Sequence, residues 1–386
     1  MLNRLKDKIK FKLAKILAPE IDQKLAVTDK LTSVTLYGIA PWYQENLWEP
    51  PVQIILRDLC KPGDVVFDVG ANFGGLSTVM SRMVGPKGVV CAFEASPRIV
   101  DKTQRNLVLS GCHNTQLFHN AVYHTSGETV KIYLGSHLND SIYSQHGEGS
   151  SYAVKTIALD DFIAHTGLVP NLLKMDIEGA EFDALQGLAN NLKTAKPHLI
   201  LETQRDDSRC LDYLRDLGYV AIDLNTYQEI QSPADYPSGA DIRNNLYIHR
   251  ERLGETPYQP PFEIQPYADL NATDFQTGAN GSIYSQKALI LEKGRYLIDV
   301  NFSAEGRDND LMCGVKVGEK VIFRYHAYSQ LLAATYRDWV IQVDETAPIQ
   351  IYFEFQNGTQ DPSLQIQGAT LKQIRNFAAL APQLYL

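Results

Sequence analysis

The spacing of hydrophobic and polar positions changes along the chain, and the changes divide it. In residues 2–17, LNRLKDKIKFKLAKIL, the side chains Leu2, Leu5, Ile9, Leu13 and Ile16 recur at helical spacing, with Arg4, Lys6, Lys8, Lys10, Lys12 and Lys15 over much of the remainder. An amphipathic helix is expected, able to pack on the chain's own first domain or to lie on an anionic membrane surface. From about residue 60 to 250, short apolar runs alternate with helical stretches. Strands are expected at 65–69, 89–93, 116–120, 172–175 and 199–201, with helices at 76–83 and 97–110. This alternation is the mark of a mostly parallel sheet covered by helices on both faces, which 219–224 and 246–249 can close as an antiparallel pair. The stretch GETPYQPPF at 254–262 holds Pro257, Pro260 and Pro261, too many for a regular element. Beyond it helical periods nearly vanish. Short runs at 295–302, 315–317, 321–325, 339–343, 349–355 and 364–366 are separated by turn residues such as Gly318-Glu319 and Asn357-Gly358. They predict an all-β sandwich or jelly roll. The expected organisation is a helical extension at 1–44, an α/β domain at 45–253, a linker at 254–261 and a β-domain at 262–386.

Composition narrows the classes. A chain of 386 residues has room for two cores, and 44% hydrophobic with 21% charged residues is an ordinary globular balance. The net charge of -9 disfavours a nucleic-acid partner. Five cysteines, Cys60, Cys91, Cys112, Cys210 and Cys313, form an odd set without C-x-x-C spacing. Neither a disulfide framework nor a cysteine zinc site is expected. No run reaches transmembrane length, and lysines interrupt the apolar residues that a secretion signal requires. A cytoplasmic protein is expected, with 2–17 able to bring it to the inner face of the membrane.

The densest chemistry lies in VVFDVGANFGGLS at 65–77. A strand runs into Asp68, Gly70, Ala71, Asn72 and Gly74. Gly70 lets the chain turn where a side chain would obstruct it, and Gly74 allows close approach at the next helix. No Lys-Ser or Lys-Thr follows, which excludes a P-loop. Asp68 stands where a pyrophosphate would meet its charge, whereas a ligand bearing an amine and a sulfonium would be welcome. Glu94, 26 residues later at the end of the second strand, can accept both hydroxyls of a ribose. Asn120, after the third strand, is placed either beside an adenine ring or as a polar strand terminus. Glu49, upstream in WEPPVQ, can approach from the opposite rim or sit on the surface.

These segments resemble the FkbM family of S-adenosylmethionine-dependent methyltransferases over about residues 45–250. The family's D-V-G-A-N-x-G turn, its later F-E and its L-K-x-D-x-E-G-x-E stretch occur here in order. They are 68–74, Phe93-Glu94, and LLKMDIEGAEFDALQG at 172–187. The resemblance implies a Rossmann-like class I methyltransferase domain with a mostly parallel seven-stranded sheet. It implies O-methylation of a sugar, glycan, glycolipid or related hydroxyl compound. By motif match it makes Asp68, Gly70, Asn72, Gly74 and Glu94 the S-adenosylmethionine set, which Ala71 joins from the same turn and Asn120 and Glu49 by position alone, and it places Lys174, Asp176, Glu178 and Glu181 on the reacting side. Glu181 is left between substrate binding and an electrostatic role at its helix N-terminus. One departure is ANFGGLS, where the family commonly carries an aromatic soon after the last glycine.

A neutral hydroxyl is a poor nucleophile, so Asp176 or Glu178 would take its proton as the new bond forms. Two carboxylates without a nearby histidine do not identify a metal, so a divalent metal such as magnesium stays open but is not expected. Glu202, ending HLILE, faces the same rim; His198, opening that strand, lies at the opposite edge, and His119 and His124 read as loop or packing residues. Tyr143 and His146 are placed at an acceptor pocket by position alone. In the β-domain Tyr325, His326, Tyr328, Tyr336, Arg337 and Trp339 form a sugar-binding candidate cluster, with Trp339 the one expected in the core. A nicotinamide-dependent oxidoreductase and a non-catalytic carbohydrate-binding protein are the alternatives, and a homo-oligomer is compatible with either domain.

Overall fold

The computed structural model describes residues 21–27, 30–36, 49–133, 140–142, 151–236, 242–278, 281–286, 289–304, 310–328, 338–355, 364–375 and 377. The lysine-rich segment 2–17, Tyr143, His146, Tyr336 and Arg337 lie outside them, as do the side chains of His326 and Tyr328. Within the 1–44 extension, after the segment expected to be helical, the structure describes an antiparallel pair, β1 (Ile21–Val27) with β2 (Lys30–Leu36).

The α/β unit opens with a helix that periodicity missed, α1 (Pro50–Leu59). Its two leading prolines suit a first turn, whose N–H groups have no helical partner anyway. There follow β3 (Val65–Val69), α2 (Gly75–Val84), β4 (Val89–Phe93), α3 (Val100–Leu109) and β5 (Thr115–Phe118). A small sheet of β6 (Ala121–Val122), β7 (Thr129–Tyr133) and β8 (Ser151–Ile157) comes next, then α4 (Leu159–Thr166) and β9 (Leu172–Met175). The unit closes with α5 (Glu181–Gln186), α6 (Ala189–Thr194), β10 (His198–Gln204), α7 (Arg209–Asp216), β11 (Tyr219–Asp223), β12 (Glu229–Ile230) and β13 (Ile242–His249).

The main sheet has eight strands in the order β12-β11-β13-β10-β9-β3-β4-β5, one more than expected. The addition is β12, whose two residues are too few to leave a periodic pattern. Strands β10, β9, β3, β4 and β5 run parallel, and β13, β11 and β12 are antiparallel to their neighbours. The chain therefore leaves β3 toward β4 on one side and returns through β9 on the other. That reversal opens a crevice at the carboxyl ends of β3 and β9, where ligands of such sheets bind. The strands are apolar on both faces because each face carries its own core. Val66, Val90, Ile200 and Leu246 pack with α1 and α2 on one side, and Phe67, Cys91, Leu173 and Leu199 pack with α4 and the α5–α7 segment on the other.

Residues from 264 onward build two antiparallel sheets. One contains β14 (Ile264–Asn271), β18 (Gly294–Ser303), β21 (Asp338–Val343) and β23 (Gln365–Ile374). The other contains β15 (Phe275–Thr277), β16 (Ile283–Ser285), β17 (Leu289–Leu291), β19 (Asp310–Val317), β20 (Lys320–Tyr328) and β22 (Ala347–Phe355). Tyr296, Val300, Trp339 and Leu371 of the first share one hydrophobic core with Val315, Phe323, Ile351 and Phe353 of the second. Trp339 stacks on Phe323 with ring centroids 5.4 Å apart, and Tyr325 meets the same ring edge-on. These two aromatics of the candidate sugar cluster are thus engaged with the core, Trp339 wholly buried in it. Val340 and Ile374 face the other way and complete the core around α1 and α2. No helix among the described residues is long and apolar enough to cross a membrane.

Candidate active site

The glycine turn is fixed by what surrounds it. Gly70 has φ +85°, and a Cβ there would sit 1.8 Å from the carbonyl oxygen of Asp176, so a side chain is excluded by conformation and by space. The N–H groups of Gly70 and Ala71 both donate to the carbonyl of Phe93, at 3.0 and 2.9 Å. Helix α3 holds the rest of the turn. Thr103 Oγ1 donates to the Asn72 carbonyl, and Asn106 Nδ2 donates to that of Phe73 at 2.8 Å. At Gly74 the requirement is conformational alone: φ is +84°, while a Cβ would make ordinary contacts.

Glu94 leaves the end of β4 and turns back to the glycine turn. Its Oε2 accepts from the Asn72 N–H at 2.8 Å and its Oε1 from the Ser96 N–H at 2.7 Å. Each oxygen keeps a lone pair for a ligand hydroxyl. Burial raises its pKa to about 7 despite those two donors. The cleft beside it, about 670 Å³, is lined by Gly70, Asn72, Glu94, Ser96, Asn120 and Ile142 among others. Asn120 donates to the Lys155 carbonyl at 3.2 Å, so its side chain is anchored at the cleft wall. Asp140, which carries no signal in the sequence beyond its polarity, closes this end. It accepts from Ser96 Oγ at 2.5 Å and pairs with Arg98.

The floor of the crevice is a buried charge cluster. Asp68 stands beside Lys174 in the β3–β9 register, and Asp68 Oδ2 accepts from Ser77 Oγ on α2. Lys174, 3% exposed, reaches Asp176 Oδ2 at 3.1 Å. Burial disfavours its charge, but Asp176, Glu49, Asp68 and Glu202 together outweigh that and hold the ammonium protonated. A protonated lysine cannot act as the base, so Lys174 neutralises the floor. Four carboxylates around one ammonium leave an excess of negative charge. Burial accordingly raises the pKa of Glu49 and of Asp68, with Lys174 opposing. Three buried acceptors here, Glu49 Oε2, Asp68 Oδ1 and Asn72 Oδ1, have no hydrogen-bond partner among the described residues. Buried acceptors in that state demand donors. An ammonium group with a sulfonium beyond it meets both the donor and the charge requirement, and S-adenosylmethionine carries both.

Asp176 and Glu178 leave β9 through a strained turn, Glu178 at φ 57° and Gly179 at φ 101°. The Glu178 carbonyl is held by Ser141 Oγ at 2.8 Å. Burial first, and then the Asp176 charge, raise the Glu178 pKa to about 7. Glu181 is committed locally: its Oε1 accepts from the N–H groups of Ile177 at 2.9 Å and Gly179 at 3.3 Å. A second cleft of about 760 Å³ opens between β10 and α7, lined by Asp176, Glu178, Glu181, Glu202, Asp207 and Arg209 among others. Asp176 and Glu178 are shared by both clefts. Within Glu202 the Asp176 charge, with burial, drives the pKa well above the ordinary value. His198 is buried at the far end of β10 with its pKa lowered to about 3. His119 and His124 turn to local partners, the Ala95 carbonyl and Asp183.

Residues 68–221 match the model of the methyltransferase FkbM domain. Over 194 residues the chain is 27% identical to the hexuronic acid methyltransferase AglP of Haloferax volcanii, covering 50% of this chain and 77% of that one. Among solved structures, methyltransferase FkbM of Methylobacillus flagellatus KT aligns with 48% of this chain at 16% identity and TM-score 0.32; the alignment spans 43% of that protein's length. Precorrin-6y C5,15-methyltransferase of Geobacter metallireducens GS-15 aligns with 52% of this chain and 87% of its own, at 15% identity and TM-score 0.32. The crevice with its glycine turn, Glu94 and the Asp176–Glu178 exit all fall within the residues that are similar to the methyltransferase FkbM domain.

Proposed function

We propose that this protein transfers a methyl group from S-adenosylmethionine to a hydroxyl oxygen of a sugar-type acceptor. The observation that carries the reading is the meeting of two clefts at Asp176 and Glu178. The first cleft suits the donor: Glu94 for the ribose, Asn120 toward the base, and Asp68, Asn72 and Glu49 for the amino acid end. When bound there, S-adenosylmethionine supplies an electrophilic methyl group on a sulfonium. The same unpartnered Asp68 oxygen argues against a dinucleotide, whose pyrophosphate would add charge to a negative floor. The second cleft takes the acceptor. Its carboxylates can accept hydrogen bonds from hydroxyls, and the guanidinium of Arg209 is held by Asp207. The likeness to a hexuronic acid methyltransferase supports a sugar.

Glu178 is assigned as the base. Its pKa of about 7 leaves it half ionised at neutral pH, where a base both accepts and releases a proton readily. It takes the hydroxyl proton while Asp176, paired with Lys174, orients the acceptor. The Glu178→Gln variant is expected to lose about 100-fold or more in turnover with S-adenosylhomocysteine affinity kept. Wild-type turnover should rise with pH through about 7 as Glu178 ionises, and the variant should lose that rise. Undiminished turnover in both Glu178→Gln and Asp176→Asn would refute the assignment. Residues 262–386 are read as a β-sandwich accessory domain after a 254–261 connection. With Tyr325 and Trp339 engaged in its core, the support for a glycan site there is weaker than for a structural part.

A further inference from the structure

The β-domain contributes one buried cation to the methyltransferase domain. Arg295 of β18 is 1% exposed, and each of its partners is specific. Its guanidinium donates through Nε to Gln342 at 3.0 Å, and through one terminal nitrogen to the hydroxyls of Tyr227 at 2.8 Å and Tyr258 at 2.9 Å. The other terminal nitrogen lies 2.8 Å from Asp58 Oδ2, on which Tyr258 also donates at 2.6 Å. The Phe377 ring covers the guanidinium at 4.1 Å from its centroid. Tyr258 belongs to the proline-rich connection, so the connection and the β-domain converge on one carboxylate of α1. Two looser ion pairs flank it, Arg57–Asp344 at 3.8 Å and Arg243–Asp338 at 3.9 Å.

Asp58 is near the C-terminal end of α1, and Glu49 is the residue that precedes its first turn. Glu49 adopts φ 39°, a conformation a glutamate does not choose unaided, and carries one of the unpartnered acceptors over the cofactor floor. Nine residues of helical rise separate the two ends, about 14 Å. A helix is stiff over that length, so fixing Asp58 fixes the position of Glu49. Breaking a buried pair from one side strands the remaining charge, which makes the anchor strongly held.

We propose that the β-domain is a positioning element for the methyl-donor site: Arg295 and Tyr258 clamp Asp58, and α1 transmits that clamp to Glu49. The proposal rests on the assignment of Glu49 to the donor site made above. The test uses the full chain as wild type, Glu49→Gln, Tyr258→Phe and the double variant, with S-adenosylhomocysteine binding followed by calorimetry and folding by thermal melts. Tyr258→Phe removes one hydroxyl and is expected to fold with a lowered melting temperature. It should weaken binding about fivefold, the lower range of couplings between sites, and add no further loss in the Glu49→Gln background. An unchanged affinity in Tyr258→Phe, a full additive loss in the double variant, or no effect of Glu49→Gln would each overturn the proposal. Failure of the wild type to bind would instead overturn the donor-site reading beneath it.

Discussion

Glu94 makes two roles of one carboxylate separable by pH. In the folded protein its pKa is raised by burial to about 7, against 4.5 as the ordinary value. A raised acid keeps its proton in the fold after the unfolded chain has lost it. Stability therefore falls as pH rises from about 4.5 to 7, and the cost is complete above that. A shift of about 2.5 units corresponds to about 3 kcal/mol. Glu94→Gln removes this slope. Its amide can accept only one of the two N–H bonds that Asn72 and Ser96 now donate to the carboxylate, and the stranded donor costs about 1–3 kcal/mol. The variant should thus be less stable than wild type at pH 5 and equal or better at pH 8. Denaturant unfolding of the ligand-free protein at pH 5, 6, 7 and 8 measures the crossing. Binding should move the other way. On the proposed assignment of Glu94 to the ribose, its hydroxyls donate to the ionised form, so wild-type affinity for S-adenosylhomocysteine should rise about tenfold per unit up to pH 7 and then level. In Glu94→Gln it should be flat and weaker by about 1.5–3 kcal/mol, the range for a bond to a charged group. Parallel stability curves, or a variant that retains the wild-type binding profile, would refute the reasoning.

Gly70→Ala places a methyl carbon on the Asp176 carbonyl at a φ that alanine avoids; a loss of more than about 3 kcal/mol in unfolding free energy is expected, and an unchanged melting temperature would contradict it. Lys174→Met leaves the floor carboxylates without their ammonium; the same unfolding assay should show a loss of about 3–5 kcal/mol at pH 8, shrinking as pH falls and the carboxyls protonate.

The parallel strands and the glycine turn at their carboxyl ends were legible because local chemistry dictates them. Val65–Val69, apart from Asp68, and Val89–Phe93 are apolar since both faces are covered, and Gly70 permits the φ of +85° that the turn requires. Glu94 followed from its place at a strand end. Other features left no local trace. Strand β12 is too short for a period, and Asp140 reaches Ser96 and Arg98 across more than 40 residues.

What the amino-acid order alone determined was which groups are available: a glycine where a carbonyl must approach, carboxylates at three strand ends and a lysine between them. Their protonation and roles were decided only by the tertiary structure. Lys174 looks like a candidate reacting group on paper, and becomes a fixed positive charge because Glu49, Asp68, Asp176 and Glu202 converge on it from four different segments. Glu181 is taken from the substrate by two backbone N–H groups of its own turn, and Tyr325 and Trp339 are turned to the core. The reason is the range of the forces. Backbone conformation and apolar periodicity act over a few residues, whereas desolvation and Coulomb interactions depend on which distant segments share a volume, as Asp58 and Arg295 do.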